Sequence, residues 1–212
     1  MQIIKPYYEI MTPIDGEQML KHIELCGRIC YKSEHKIRER SYLVFARNIV
    51  KRRHEAVLEH ASLTVKFICD RGVSHEIVRH RMASYCQEST RYCNYSKDDF
   101  GNEITVIYPN FLEENTVAWK IWKATCEMAE TQYFNLLDVG LTPQEARAVL
   151  PNSLKTEVTM TANLREWRHF FKLRTSPTAH PQIREIAIPL LKDLQQQIPV
   201  VFDDITVPYE IQ

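Results

Sequence analysis

The chain has 212 residues, 44% of them apolar, with 27 basic and 27 acidic side chains and a formal charge of zero. That is enough apolar material for a substantial core, and the balanced charge gives no global field for a polyanion, so a nucleic-acid role would rest on a local patch. Six cysteines at 26, 30, 69, 86, 93 and 126 make no C-x-x-C pair and read as reduced thiols in a cytoplasmic protein; MQIIKPYYEI lacks a signal-peptide core, and no apolar run approaches the roughly 20 residues of a membrane span.

Asp15 and Gln18 resemble a capping box, and Met19, Leu20, Ile23, Cys26 and Cys30 follow at helical spacing, which predicts a helix over about 15–32. A second helix is expected over about 37–53, carrying Leu43, Ala46, Ile49 and Val50 and ending in basic residues that suit a helix C-terminus. SLTVKFICD alternates Leu63, Val65 and Phe67 against Ser62, Thr64 and Lys66, the period of a half-buried strand, and Asp70-Arg71-Gly72 reads as the turn after it. ITVIYP at 104–109 reads as another strand. Residues 115–139 read as a long helix with Ile121, Trp122, Thr125, Met128, Ala129 and Leu136 on one side, stopped at Gly140. Thr142, Pro143 and Glu145 supply the N-cap, N1 and N3 of a short helix running to about Leu150. In LKTEVTMTA, Leu154, Val158, Met160 and Ala162 can face a core. Asn163 and Glu166 form a capping pair for LREWRHFFKLR, and a last helix spans about 181–197. Interspersed helices and strands without a repeat or linker predict a single α+β or mixed α/β domain over 1–212.

The five glycines are too scattered for a G-x-G-x-x-G or Walker A loop, so any phosphate must be held by side chains. His22, Cys26 and Cys30 share a helical face, but no fourth ligand is evident, and free cysteine usually packs as a small hydrophobe; no metal is expected. The stretch RHRMASYCQESTRYCNY at 79–95 places Arg79, Arg81 and Arg91 among the hydroxyls of Ser84, Ser89 and Thr90. Guanidinium forks match phosphate or a pyrimidine carbonyl edge at two points, so this is either a pocket for an anionic ligand or a solvated turn with surface ion pairs. Arg147 and Arg174 sit among apolar neighbours, either partnered or snorkelling to water. His54 and His60 flank EAVLE and read as structural histidines or as acid/base groups.

The chain resembles the flavin-dependent thymidylate synthases. Their signature of R-H-R, seven residues and serine is matched by Arg79-His80-Arg81, residues 82–88 and Ser89, followed by Thr90-Arg91-Tyr92. HEAVLEH at 54–60, the segment ARAVLPNSLKTEVTMTANLREWRHFFKLR and a loop with His180 accompany it, so the likeness covers most of residues 54–190. It implies an α+β fold with a central antiparallel or mixed sheet, and a homotetramer with active sites between subunits. It also implies FAD as cofactor, dUMP as methyl acceptor, methylenetetrahydrofolate as carbon donor and NADPH as reductant, with no nucleic acid or membrane as partner and no covalent cysteine nucleophile. By position, the resemblance assigns Arg79, His80, Arg81, Gln87, Asn163, Leu164, Arg165 and His169 to the flavin, and Glu76, Ile77, Val78, Arg79, Gln87, Glu88, Ser89, Thr90, Arg91 and Arg147 to dUMP. Arg174 matches the arginine that holds the uracil ring. Cys86 and Gln87 stand where Asn-Glu is frequent, Thr90 where glycine is, Glu76 where glutamine is and His169 where asparagine is. His80, bracketed by two arginines, is expected to resist protonation.

Overall fold

The computed structural model describes residues 1–97 and 101–207. The strands are β1 (Gln2–Ile4), β2 (Tyr7–Ile10), β3 (Ser62–Asp70), β4 (Ala83–Gln87), β5 (Thr105–Ile107) and β6 (Lys155–Asn163). The helices are α1 (Gly16–Ile29), α2 (Ser41–Arg52), α3 (Arg71–Ile77), α4 (Val117–Asp138), α5 (Pro143–Ala146), α6 (Leu164–Arg174) and α7 (Pro181–Gln197), with 3-10 turns at Glu34–Lys36, Glu55–His60 and Arg147–Val149. An open antiparallel sheet runs in the order β2-β3-β6-β4, and β1 pairs in parallel with β5. The fold class is therefore α+β, as expected. By packing, the chain falls into two compact units. The first comprises Met1–Tyr7, Lys66–Arg79 and Tyr85–Thr159; the second comprises Tyr8–Val65, His80–Ser84 and the chain from Met160 onward.

In the first unit, α4 lies over a core of Tyr95, Ile104, Val106, Cys126, Tyr133, Ala146 and Leu154. The α4 face expected to be buried is only half right. Trp122, Ala129 and Leu136 are partly covered, whereas Ile121 and Met128 are 64% and 59% exposed, and the residues that enter the core are Cys126 and Tyr133. The helix is apolar on more than one side, so periodicity identifies it without selecting its inner face. Gly140 ends α4 as predicted. Its φ of +95° lets its N–H reach the Leu137 carbonyl at 2.9 Å and the Leu141 N–H reach that of Leu136 at 3.0 Å, closing a Schellman motif.

The second unit is built on α1, α2, α6 and α7. Leu20, Ile23, Ala46, Leu58, Trp167, Phe170, Phe171, Leu190, Leu191 and Phe202 are buried in it, with the Trp167 and Phe171 rings stacked at 5.8 Å. Arg168 is 1% exposed, held by Glu55, by both Asp204 carboxylate oxygens and by the Val201 carbonyl. At the start of α1, a Cβ added to Gly16 would stand 2.0 Å from the Gln197 carbonyl oxygen, so the residue must be glycine for α1 to approach the end of α7.

Several elements differ from the sequence reading, among them α3, the start of α2 and β4. The expected turn at 70–72 is the N-terminus of α3, where the Asp70 carboxylate accepts from the Val73 N–H at 2.7 Å. The second helix begins at Ser41 rather than 37, because a 3-10 turn occupies Glu34–Lys36 and Arg40 is left-handed with φ 60°. β4, inside the polar 79–95 stretch, carries no apolar alternation that could have announced it.

Candidate active site

Asn163 ends β6 and caps α6, its Oδ1 accepting from the Glu166 N–H at 2.9 Å, as the capping pair predicts. This sets the rotation of α6. Glu166, His169 and Arg174, at relative positions 1, 4 and 9, then gather around His80. His80 is 3% exposed, with the Phe170 ring 5.0 Å and the His169 ring 5.4 Å from its own. Its Nδ1 lies 3.0 Å from Glu166 Oε1, and Arg174 Nε donates to its Nε2 at 3.1 Å. Burial pulls this imidazole below its ordinary range; the hydrogen bond to Glu166 opposes the shift, while the charge of Arg174 adds to it. The expected resistance to protonation is thus present, but its sources are burial and Arg174 rather than the flanking Arg79 and Arg81.

His80, Glu166 and His169 bring potential metal ligands within 4.8 Å of one another, a grouping that the sequence reading did not foresee. A cation bound at either ring nitrogen of His80 would displace one of the two hydrogen bonds, and Arg174 already sets positive charge beside this site. The hydrogen-bonded arrangement explains the cluster better than a metal does. His22 and Cys26 do meet, at 3.6 Å, as helical spacing predicts.

A cleft of about 430 Å³ on the α6 side is lined by Asn163, Arg165, Glu166, His169 and Lys172, with Met82, Glu55 and Glu59. Asn163, Arg165 and His169, all assigned to the flavin by resemblance, therefore meet at one surface. Arg165 pairs with Glu59 at 2.5 Å and Lys172 with Glu55 at 3.5 Å. Leu164 is wholly buried, and its N–H donates to the Ala61 carbonyl at 2.9 Å. His80, Arg81 and Arg174 belong to the same unit as this cleft, whereas Arg79 belongs to the other.

Apart from Arg174, the residues assigned to dUMP lie in the first unit. Gln87, at the end of β4, donates through Nε2 to Ser74 Oγ at 3.0 Å and to Thr156 Oγ1 at 3.3 Å. Glu88 accepts from Lys155 Nζ at 3.0 Å and from the Tyr95 hydroxyl at 3.1 Å, and its N–H donates to the Glu157 carbonyl at 2.8 Å. Burial works against the charge on Lys155, but Glu157 and Glu88 outweigh it and raise the ammonium above its usual range. These bonds hold the segment before Ser89, so Glu88 serves as an anchor. Arg147 Nη1 donates to Thr90 Oγ1 at 3.3 Å, which brings together two dUMP-assigned residues 57 positions apart. Arg91 Nε donates to Gln144 Oε1 at 3.0 Å, and its guanidinium lies 5.2 Å from the Tyr92 ring centroid. Arg147 and Arg91 are exposed, whereas Ile77 is buried in the core. Sequence reasoning missed Ser74, Thr156, Lys155 and the link from Glu166 to His80. The available signal was the i, i+3, i+8 spacing of Glu166, His169 and Arg174 along one predicted helix.

The model of the Thy1 family, described as thymidylate synthase complementing protein, matches residues 14–200. A flavin-dependent thymidylate synthase of Corynebacterium aurimucosum is 34% identical over 200 residues, covering 86% of this chain and 78% of that protein. Another, from Geobacter sulfurreducens, is 32% identical over 189 residues, covering 86% and 80%. Among solved structures, a UMP/dUMP methylase, PolB, from Streptomyces cacaoi bound with 5-Br dUMP superposes with a TM-score of 0.77 at 22% identity over 96% of both chains, which establishes the likeness of fold. With the signature at 79–89 inside the matched region and identity sustained over most of each relative, the chain belongs to the flavin-dependent thymidylate synthase family.

Proposed function

We propose that this protein converts dUMP to dTMP by reductive methylation, with methylenetetrahydrofolate giving the carbon and NADPH the reducing equivalents. The balance is dUMP, methylenetetrahydrofolate, NADPH and one proton giving dTMP, tetrahydrofolate and NADP. The observation that supports this most is that the signature histidine, His80, is buried in hydrogen-bond contact with Arg174, the arginine that the resemblance assigns to the uracil ring.

The residues of the α6 cleft fit a flavin dinucleotide. Arg165 and Lys172 are exposed cations suited to a diphosphate, which would compete with Glu59 and Glu55 for them, while Asn163 and His169 offer amide and imidazole edges to a heteroaromatic ring. FAD, when bound there, supplies the two-electron chemistry that side chains lack. The chain's own residues bind and polarise. Arg147 and Arg91 are fixed cations for the nucleotide phosphate, with Ser89 and Thr90 beside them. Uracil C5 is a weak nucleophile, and Arg174 at the pyrimidine carbonyl edge favours the ionised, enolate-like form of the ring, whose electron density C5 then uses in its attack, without a cysteine adduct.

The reading includes a homotetramer with active sites between subunits. It is supported by the apolar residues that α4 leaves uncovered, among them Val117 at 75% exposure with Ile121 and Met128. Among the described residues, no helix is long and apolar enough to cross a membrane.

The test is the visible spectrum of the purified protein. Flavin bands that bleach with NADPH in the absence of oxygen, together with dTMP formed from dUMP and methylenetetrahydrofolate, are expected. Failure to take up added FAD, or bleaching without any dTMP, would overturn the proposal.

A further inference from the structure

We propose that Glu166 and His80 form a positioning pair for Arg174, setting the plane of its guanidinium and so the aim of its fork at the pyrimidine. The inference rests on the assignment of Arg174 to the pyrimidine made above. It adds Glu166, which the resemblance assigns to nothing, and gives His80 a task besides the flavin.

The proton positions follow from donor chemistry. A guanidinium only donates, so His80 Nε2, which receives Arg174 Nε at 3.1 Å, must present a lone pair. A neutral imidazole with Nε2 bare carries its proton on Nδ1, and the Nδ1–H then donates to Glu166 Oε1 at 3.0 Å. No other proton arrangement satisfies both contacts. Glu166 therefore selects the tautomer that can accept from Arg174. The pair is buried, His80 at 3% exposure and Glu166 at 9%, so water competes poorly for either bond. Because Nε is the atom engaged, rotation of the guanidinium about its own stem is held by the imidazole. Glu166 also lines the α6 cleft with Asn163, Arg165 and His169, so this carboxylate links that surface to Arg174.

Among the described contacts, the charged and titratable groups facing His80 include Glu166, His169 and Arg174, all on α6, with the Phe170 ring on its apolar side. Protonation of Nε2 would set two donors against each other, so the bond from Arg174 Nε is lost when His80 becomes charged. The Glu166 carboxylate favours the charged imidazole, so neutralising it moves that event to lower pH.

The test combines the ¹⁵N shifts of the ring nitrogens of histidine-labelled holoenzyme, with His80 assigned by its loss in His80→Asn, and pH profiles of kcat/KM for dUMP. The proteins are the wild type, Glu166→Ala, Glu166→Gln and Arg174→Ala. In the wild type at pH 7.5, Nδ1 should be protonated and Nε2 bare. Glu166→Ala should shift the tautomer balance and lower kcat/KM about 10- to 100-fold, the range for loss of a hydrogen bond to a charged group. Glu166→Gln keeps a carbonyl acceptor for Nδ1–H, so it should recover most of that loss and move the acid limb to lower pH. A purely structural residue would change the melting temperature without moving that limb. An Nε2–H or charged His80 in the wild type, an unmoved acid limb in Glu166→Gln, or an altered tautomer with unchanged kcat/KM in Glu166→Ala each overturns the inference. Should Glu166→Ala not fold, the first two outcomes still decide. Normal turnover by Arg174→Ala would instead remove the pyrimidine assignment beneath it, which separates the two failures.

Discussion

Gln87 donates to Ser74 Oγ at 3.0 Å while the same Ser74 hydroxyl donates its own proton to the Arg71 carbonyl at 2.9 Å. Ser74 can therefore only accept from Gln87, and an amide suits position 87 better than a carboxylate. We expect Gln87→Glu to lower stability by about 1–3 kcal/mol near pH 7.5, the range for an unsatisfied buried polar group, and by less at pH 5, where a protonated carboxyl can donate. Urea unfolding at the two pH values measures this; an equal or higher midpoint for Gln87→Glu at pH 7.5 would refute the argument.

His80 makes stability depend on pH. Its folded pKa lies below the ordinary value of 6.5, so as pH falls under about 6.5 the unfolded chain takes up a proton that the folded chain still refuses. Stability from this group is complete above that range and is lost progressively until the folded imidazole itself titrates. Thermal melts between pH 7.5 and 5.5 should show a steeper fall for the wild type than for His80→Gln, which has no proton to exchange. Parallel slopes would contradict the assignment.

Arg168 is the most deeply buried cation with a full set of partners described, and its two carboxylates are more exposed than it is. Asp204 is held below the usual carboxylate range, first by its hydrogen bond to Arg168. Removing both carboxylates, as Glu55→Ala with Asp204→Ala, leaves a buried guanidinium without a counter-charge and should cost about 3–5 kcal/mol. Arg168→Met removes the charge along with the bonds and should cost less. Chemical denaturation of the two variants gives the order; the reverse order would show that the hydrogen bonds of Arg168 matter more than the compensation of its charge.

Gly16→Ala places a methyl group against a backbone oxygen rather than against a side chain that can swing away. One of the two helix ends must then shift, and a loss of roughly 1–3 kcal/mol is expected, as for overpacking. A melting temperature equal to that of the wild type would mean that the ends of α1 and α7 can separate freely.

Elements whose signals lie within four residues were legible. Asp15 with Gln18, Thr142 with Glu145 and Asn163 with Glu166 each close a hydrogen bond over three positions, and α1, α5 and α6 begin where those pairs place them. The same chemistry at Asp70 and Val73 was read as a turn because Gly72 follows, and α3 was missed. β4 was missed because its residues carry polar chemistry instead of alternation. The period of α4 was correct and its inner face was not, since burial depends on what the remainder of the fold covers.

For the site, the sequence by itself determined the chemical inventory: the Arg79-His80-Arg81 and Ser89 register, the arginines at 91, 147 and 174, and the family that this pattern resembles. Only the tertiary structure decided how that inventory is wired. Gln87 meets Ser74 and Thr156, Glu88 meets Lys155, and His80, 86 residues before Glu166, is bonded to it and to Arg174. The physical reason is one of range. Caps and periodicity arise from neighbours along the backbone, whereas the proton on His80 is placed by two groups that reach it only after α6 has packed, and burial then determines which proton arrangement survives.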